Sequence, residues 1–487
     1  MQYGQVSMKD GKILNFHKVF LAWSNIWCYN SRQQHIKVSV EAKAGWEPSW
    51  LFVTFQFLYI INELAEFSTL KIMYQVERMV TEANLMSRKR DERTDTKYKE
   101  DFIMKNLKKI ISVTAAAAMV MSTVAPVSVF ADDATFKIGG IGPVTGAAAI
   151  YGQAVKNATE LAINEVNEDG GINGYQVEFK FEDDENDAEK SLNAYNALKD
   201  WGMNILVGTV TSTPCVAVAN ETAADNMFQL TPSGSATECV ANPNVFRVCF
   251  SDPNQGTAAA QYIGEHKLAT KVAIIYDSSD VYSSGITQNF TAEAANQGIE
   301  IVSSEAFTAD NNKDFSVQLQ KAKDGGAELV FLPIYYTEAS LILAQADSMG
   351  FETKFFGCDG MDGILGVENF DTSLAEGLML LTPFAADSTD EKTQNFVKAY
   401  KDAYKDTPNQ FAADAYDAVY AIKAAAEKED VKADMDVADI CAALEKGMTE
   451  ITLEGVTGDE ITWTEDGEPN KAPKAVEIKD GAYAAME

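Results

Sequence analysis

From Ala134 to the C-terminus, the spacing of apolar residues switches repeatedly between a period of two and a period near 3.6, the signatures of strands and of one-sided helices. The first series predicts strands over 136–141, 175–182, 204–208 and 227–231, with helices over 151–168, 187–200 and 214–225 between them. In the first helix Val155, Ala158, Leu161, Ala162 and Val166 share a face, and Gly170-Gly171 ends it. After Phe246-Arg247-Val248 the alternation restarts. Helices over 255–266, 283–297, 313–324 and 338–349 then separate strands over 271–276, 299–304, 328–332 and 353–357. Helices over 391–404, 411–428 and 435–446, followed by short strands over 451–454, 460–464 and 475–479, complete the chain. Repeated β-α units with short apolar strands define an α/β protein whose parallel sheets are covered on both faces. Two series predict two Rossmann-like lobes. No Pro/Gly/Ser-rich linker separates them, so the chain is expected to cross between lobes several times.

Charge divides the chain differently. Of its 487 residues, 40 are Lys or Arg and 72 are Asp or Glu, a net charge of -32. Residues 1–131 hold 17 basic and 12 acidic residues, leaving 23 against 60 for the remainder. An excess of acid on this scale repels phosphate backbones and anionic lipid, so neither nucleic acid nor a membrane surface is an expected partner. The change of composition falls at a stretch with the parts of a secretory signal peptide, residues 104–131: Lys105, Lys108 and Lys109, an apolar run from Ile110 to Val124, and Val129-Phe130-Ala131 before two aspartates. No cysteine follows, so a lipobox anchor is not indicated, and an exported protein on the periplasmic or extracellular side is expected. Residues 1–103 read as translated leader outside the fold, with Met104 as the true start. Lys99-Glu100-Asp101 is encodable as a purine-rich ribosome-binding sequence, and Trp50–Ile61 is too short to span a bilayer. Five cysteines lie beyond the signal, Cys215, Cys239, Cys249, Cys358 and Cys441. Cys239 and Cys249 flank an Asn-Pro-Asn turn and are a candidate bridge, but isolated packed thiols are the favoured expectation.

In open parallel sheets, ligands bind beyond the carboxyl ends of strands. There the first series places Gly142-Pro143-Val144-Thr145-Gly146 and Tyr151, then Thr209-Val210-Thr211-Ser212-Thr213-Pro214, then Thr231-Pro232-Ser233-Gly234-Ser235-Ala236. Hydroxyls and free amides at helix starts form a small anion site. The second series offers Asp277-Ser278-Ser279-Asp280-Val281-Tyr282, Pro333-Ile334-Tyr335-Tyr336-Thr337-Glu338 and Gly357-Cys358-Asp359-Gly360. Donors on one wall, with tyrosines and an acid on the other, suit an α-amino acid zwitterion.

From about Phe136 to Gly481 the chain resembles the branched-chain amino-acid-binding proteins of ABC importers, the leucine/isoleucine/valine-type receptors with the type I periplasmic-binding fold. Matching stretches include Gly142-Pro143-Val144-Thr145-Gly146, Asn167 to Gly174, Asp183-Asp184 with Asp187, Thr231-Pro232, Lys313-Asp314-Phe315-Ser316, Glu376-Gly377-Leu378 and Ala412 to Ala418. The resemblance implies two lobes joined by a multi-strand hinge, here 134–252 plus 385–448 and 253–384 plus 449–487. It also implies an amino acid, branched-chain or similarly aliphatic, held between them and passed by a monomeric receptor to ABC permease subunits. Ser212, with Thr211 and the groups around Ser233 and Ser235, would hold the carboxylate. Asp359 would hold the ammonium, assisted by Ser235 and the Ser233 carbonyl. Tyr151, Tyr282 and Tyr335 would line the side-chain pocket. The disulfide of some relatives is missing, Asn186 and Thr211 occupying its positions, and Asp359 is one methylene shorter than the family's glutamate. A receptor that senses amino acids, amides or small aromatic acids and signals is the alternative.

An enzyme is not expected, nor a metal or cofactor. Gly140-x-Gly142-x-x-x-Gly146 imitates a dinucleotide fingerprint, with Asp183 or Asp184 as ribose acceptor, but Pro143 removes a donor that a pyrophosphate needs. Gly-x-Ser-x-Gly is absent, His266 is the lone histidine of the mature part, and the cysteines lack metal spacing.

Overall fold

The computed structural model describes residues 134–486 together with two paired three-residue strands, Gln5–Ser7 and Ile13–Asn15. The expected export signal over 104–131 and most of the leader over 1–103 lie outside the described residues.

The first sheet contains β1 (Phe136–Gly142), β2 (Val177–Asp183), β3 (Ile205–Gly208), β4 (Gln229–Thr231) and β5 (Val245–Arg247), all parallel, in the order β2-β1-β3-β4-β5. Helices α1 (Ala149–Glu168), α2 (Ala188–Trp201) and α3 (Ser212–Asp225) connect its strands. The second lobe opens with α4 (Asp252–Glu265). It continues through β6 (Lys271–Asp277), α5 (Val281–Ala294), β7 (Glu300–Phe307), α6 (Ser316–Asp324), β8 (Leu329–Leu332), α7 (Tyr336–Ser348), β9 (Lys354–Gly357) and β10 (Met379–Thr382). Then come α8 (Glu391–Tyr404), α9 (Gln410–Lys428) and α10 (Val437–Glu450), and finally β11 (Lys474–Lys479) and β12 (Ala482–Ala485). The second sheet has the order β12-β11-β10-β9-β8-β6-β7, parallel from β7 to β10 and antiparallel at β11 and β12.

Strand alternation distributes the core. In β3, Ile205 and Val207 point to the layer of α1, α9 and α10, whereas Leu206 joins Tyr195, Leu198 and Val218 of α2 and α3 on the other face. In β6, Val272 and Ile274 meet Ile286 and Phe290 of α5, while Ala273 and Ile275 meet Leu319 of α6 and Ile342 of α7. Burial on both faces explains why these strands read as continuous apolar runs. Helix ends follow local chemistry. The Asp187 side chain accepts from Lys190 N at the start of α2, and Gly202 closes it at φ 90°, a left-handed cap that glycine adopts without strain.

The chain passes between lobes at Val248–Ser251, Pro383–Asp390 and in the segment leading from α10 to β11. The last differs from expectation. The resemblance places residues from 449 in the second lobe, yet Ile451, Leu453, Ile461 and Trp463 pack into the first-lobe core, and Trp463 Nε1 donates to Arg247 O at 2.7 Å. Only β11 and β12 of this stretch join the second sheet. The apolar side chains of the segment fill space left beside α10 and β5, which sequence periodicity does not reveal. The strands expected over 451–454 and 460–464 reduce to the single bridges Leu453↔Ile461 and Trp463↔Pro469.

Candidate functional site

Strand ends of both sheets converge on one narrow cavity lined by residues of both lobes.

The first-lobe wall is built on α3. Ser212 opens this helix, two residues earlier than periodicity predicts, and its Oγ accepts from Ser235 N and Ala236 N, both at 3.2 Å. The Ser212 hydroxyl proton therefore remains available to a ligand, beside a helix N-terminus whose first amides lack intrahelical acceptors. Ser233 Oγ donates to Val210 O at 2.6 Å, and Thr211 Oγ1 is buried without a partner among the described residues. Behind this wall stands Arg247, fully buried, donating to Gly234 O and Ala236 O at 2.9 Å each and facing Glu468 at 3.1 Å. Its guanidinium fixes the 233–236 loop and adds positive potential at the donor end.

Asp359 faces this wall from the end of β9. Its Oδ1 accepts from Tyr282 OH at 2.8 Å, and its backbone N donates to Gln255 Oε1 at 3.1 Å. Burial pushes the Asp359 carboxyl up to about 7, against the opposing pull of the Tyr282 and Gln255 hydrogen bonds. Burial, with the nearby Asp359, raises Tyr282 as well, so its hydroxyl keeps the proton it donates.

Tyrosines close the remaining sides. Tyr282 and Tyr335 stack with centroids 5.0 Å apart. Tyr151, in the first turn of α1, donates to Gly360 O at 2.5 Å and accepts from Tyr336 N at 3.2 Å, joining the lobes. Gly152 makes that position possible, because a Cβ there would lie 2.0 Å from Pro143 O. Three further bonds cross the cleft: Tyr336 OH accepts from Ile150 N at 3.1 Å, Thr337 Oγ1 donates to Ala147 O at 2.6 Å, and Thr213 Oγ1 donates to Asp280 Oδ1 at 2.9 Å. The lobes are closed upon each other.

Of the residues expected at the site, Tyr151, Thr211, Ser212, Ser233, Tyr282, Tyr335 and Asp359 line the cavity together. Ser235 does not. It sits behind Ser212, where its backbone O accepts from Asp252 N at 2.9 Å and its hydroxyl is buried without a partner among the described residues. The loop at Gly142–Gly146 is occupied otherwise, since the Asp183 carboxylate accepts from Val144 N at 2.9 Å and Thr145 Oγ1 at 2.6 Å. Sequence reasoning missed Phe411, whose ring lies 4.2 Å from that of Tyr151, and Gln410, whose Nε2 donates to Asp359 O at 2.6 Å. Both sit at the start of α9, far from any strand end, so strand-end logic passes over them. Arg247 carried a readable signal: a cation inside an apolar strand must find acceptors there.

A two-lobed α/β receptor with a polar cleft is the class this architecture defines, and comparison with known proteins agrees. Residues 135–482 match the family model described as "Periplasmic binding protein". The Leu/Ile/Val-binding protein homolog 3 of Brucella melitensis is 30% identical over 371 residues, 74% of this chain and 94% of that protein. The leucine-, isoleucine-, valine-, threonine-, and alanine-binding protein of Pseudomonas aeruginosa is 30% identical over 314 residues, covering 64% and 83%. The crystal structure of the branched-chain amino acid transporter substrate-binding protein LivJ from Streptococcus pneumoniae, in complex with isoleucine, superposes with a TM-score of 0.66 at 28% identity, over 72% of this chain and 99% of that one. The chain belongs to the periplasmic binding protein family, among the Leu/Ile/Val-type substrate-binding proteins of ABC transporters. This is a family of solute receptors, not an enzyme class.

Proposed function

We propose that the protein captures a small α-amino acid with an aliphatic side chain between its lobes and presents the closed complex to an ABC permease. The observation that carries this reading is the pairing, across one small cavity, of a helix N-terminus with a free hydroxyl donor against the Asp359 carboxylate. Ser212 and the α3 amides receive the ligand carboxylate, Asp359 receives its ammonium, and Tyr151, Tyr335 and Phe411 surround the side chain. Charge-assisted hydrogen bonds contribute roughly 1.5–3 kcal/mol each, so four or five support micromolar binding at about -8 kcal/mol after ordering costs. The receptor acts as a monomer outside the cytoplasm, exported through the segment at 104–131. The ligand leaves chemically unchanged.

Titration calorimetry against isoleucine, leucine, valine, threonine and alanine tests the reading. At least one binds in the micromolar range or tighter, and Asp359→Asn weakens that ligand at least tenfold while the apo protein still unfolds cooperatively. Absence of heat with every amino acid, or recovery of an altered ligand, overturns it.

A further inference from the structure

Beneath the donor wall lie two thiols that the binding site does not use. Cys215, in α3, and Cys239, in the short helical turn Thr237–Val240, are both wholly buried and form a small cluster with Ala236. All five described cysteines are free, and these two alone share that cluster. Cys239 Sγ lies 3.7 Å from Ser212 O, and Cys215 Sγ accepts from Gln229 Nε2 at 3.5 Å. A Cβ placed on Gly234 would fall 2.8 Å from Cys215 Sγ, so that loop rests directly on the sulfur. The pair thus joins the first turns of α3 to the 233–240 segment. Those are the two pieces whose groups face the ligand carboxylate in the proposed site.

We infer that Cys215 and Cys239 are a dithiol/disulfide couple that clamps the donor wall of the ligand site. The Cys215 thiolate attacks a small-molecule or protein disulfide, forming a mixed disulfide and releasing one thiolate. Cys239 then loses its proton and attacks the Cys215 sulfur, forming the internal S–S bond and expelling the second thiolate, which is protonated. Two thiols are oxidised and one disulfide is reduced to two thiols. Both sulfurs are buried, so exchange takes place as the chain folds, before the 237–240 turn docks on α3. Closing this loop removes freedom from the unfolded chain and from the ligand-free loop, which raises stability and pre-organises the donors.

This inference rests on the exported, amino-acid-binding reading, and the test separates the two. The full-length chain is refolded from urea in a mixture of oxidised and reduced glutathione, and peptide mapping locates any disulfide. A Cys215–Cys239 link, with Cys28, Cys249, Cys358 and Cys441 still free, is expected. The oxidised form should melt several degrees above the reduced form and bind the amino acid at least threefold more tightly. The Cys215→Ser/Cys239→Ser double variant should bind like the reduced form and ignore oxidant. Free thiols throughout, a different pairing, or a Cys215–Cys239 link that alters neither melting nor affinity overturns the inference. Failure of the reduced protein to bind any amino acid counts instead against the functional reading, since disulfide mapping needs no ligand.

Discussion

A carboxyl group buried as deeply as that of Asp359 loses the hydration that keeps it ionised, and this sets the pH behaviour of the proposed site. Below the unfolded value of 3.8 both states are protonated. Between 3.8 and about 7 the folded protein holds a proton that the unfolded chain has released, so stability contributed by Asp359 at acid pH is lost as pH rises through about 7. An ammonium ligand requires the ionised form. Affinity should therefore rise about tenfold from pH 6 to pH 8 with proton release on binding, and calorimetry in buffers of different ionisation enthalpy measures both. Asp359→Asn should flatten this profile, which separates it from the buried Asp252 and Asp280, also raised by desolvation. Tyr151 makes a second prediction. Tyr151→Phe leaves Gly360 O and Tyr336 N without their shared partner only when the lobes meet, a cost of roughly 1–3 kcal/mol. Ligand affinity should fall about tenfold by calorimetry, with apo melting little changed. Both residues were readable as strand-end and helix-start groups. Ser235 was not, because the direction of a serine within a six-residue loop depends on Arg247 and Ser212, which are distant in the chain.

At the scale of elements, helices and interior strands followed from periodicity because each buries a defined face. Departures occur where a neighbour replaces periodicity. Helix α3 starts at Ser212 and not at Pro214, since a proline at its third position gives up only an amide that would lack an intrahelical partner anyway. Strand β10, four fully buried residues, shows no alternation to read. The hinge segment before β11 is held by buried charges: Lys471 Nζ pairs with Asp414 at 3.0 Å, and Asp417 accepts from Val456 N at 2.8 Å and Thr457 N at 2.9 Å. Burial raises Asp414 to about 6 despite its lysine. Removing one partner of such a pair strands the other, so Lys471→Met should cost about 3 kcal/mol in urea unfolding. Affinity for the amino acid that the unaltered protein binds, measured on protein that remains folded, should change less than threefold.

Across the whole molecule, one apolar cluster runs from Tyr151 and Val155 of the first lobe into Ile275, Leu332 and Ile342 of the second, so closure buries apolar surface as well as forming polar bonds. A ligand that bridges the walls binds the closed form better than the open form and shifts the population toward it. Small-angle scattering should record a smaller radius of gyration on adding a saturating amount of the amino acid that calorimetry identifies, and Tyr151→Phe should need more ligand for the same contraction. An unchanged radius would count against hinged capture.

Apolar periodicity by itself determined the α/β class, the two lobes and the loops that carry polar groups, because burying a face constrains residues a few positions apart. It could not determine that α9 sends Phe411 and Gln410 into the cleft, that Arg247 braces the donor loop, or that residues 451–463 return to the first lobe. Those outcomes depend on contacts between segments separated by tens to hundreds of residues, where packing volume and the need to satisfy buried polar groups choose the partner, and neither is written in local spacing.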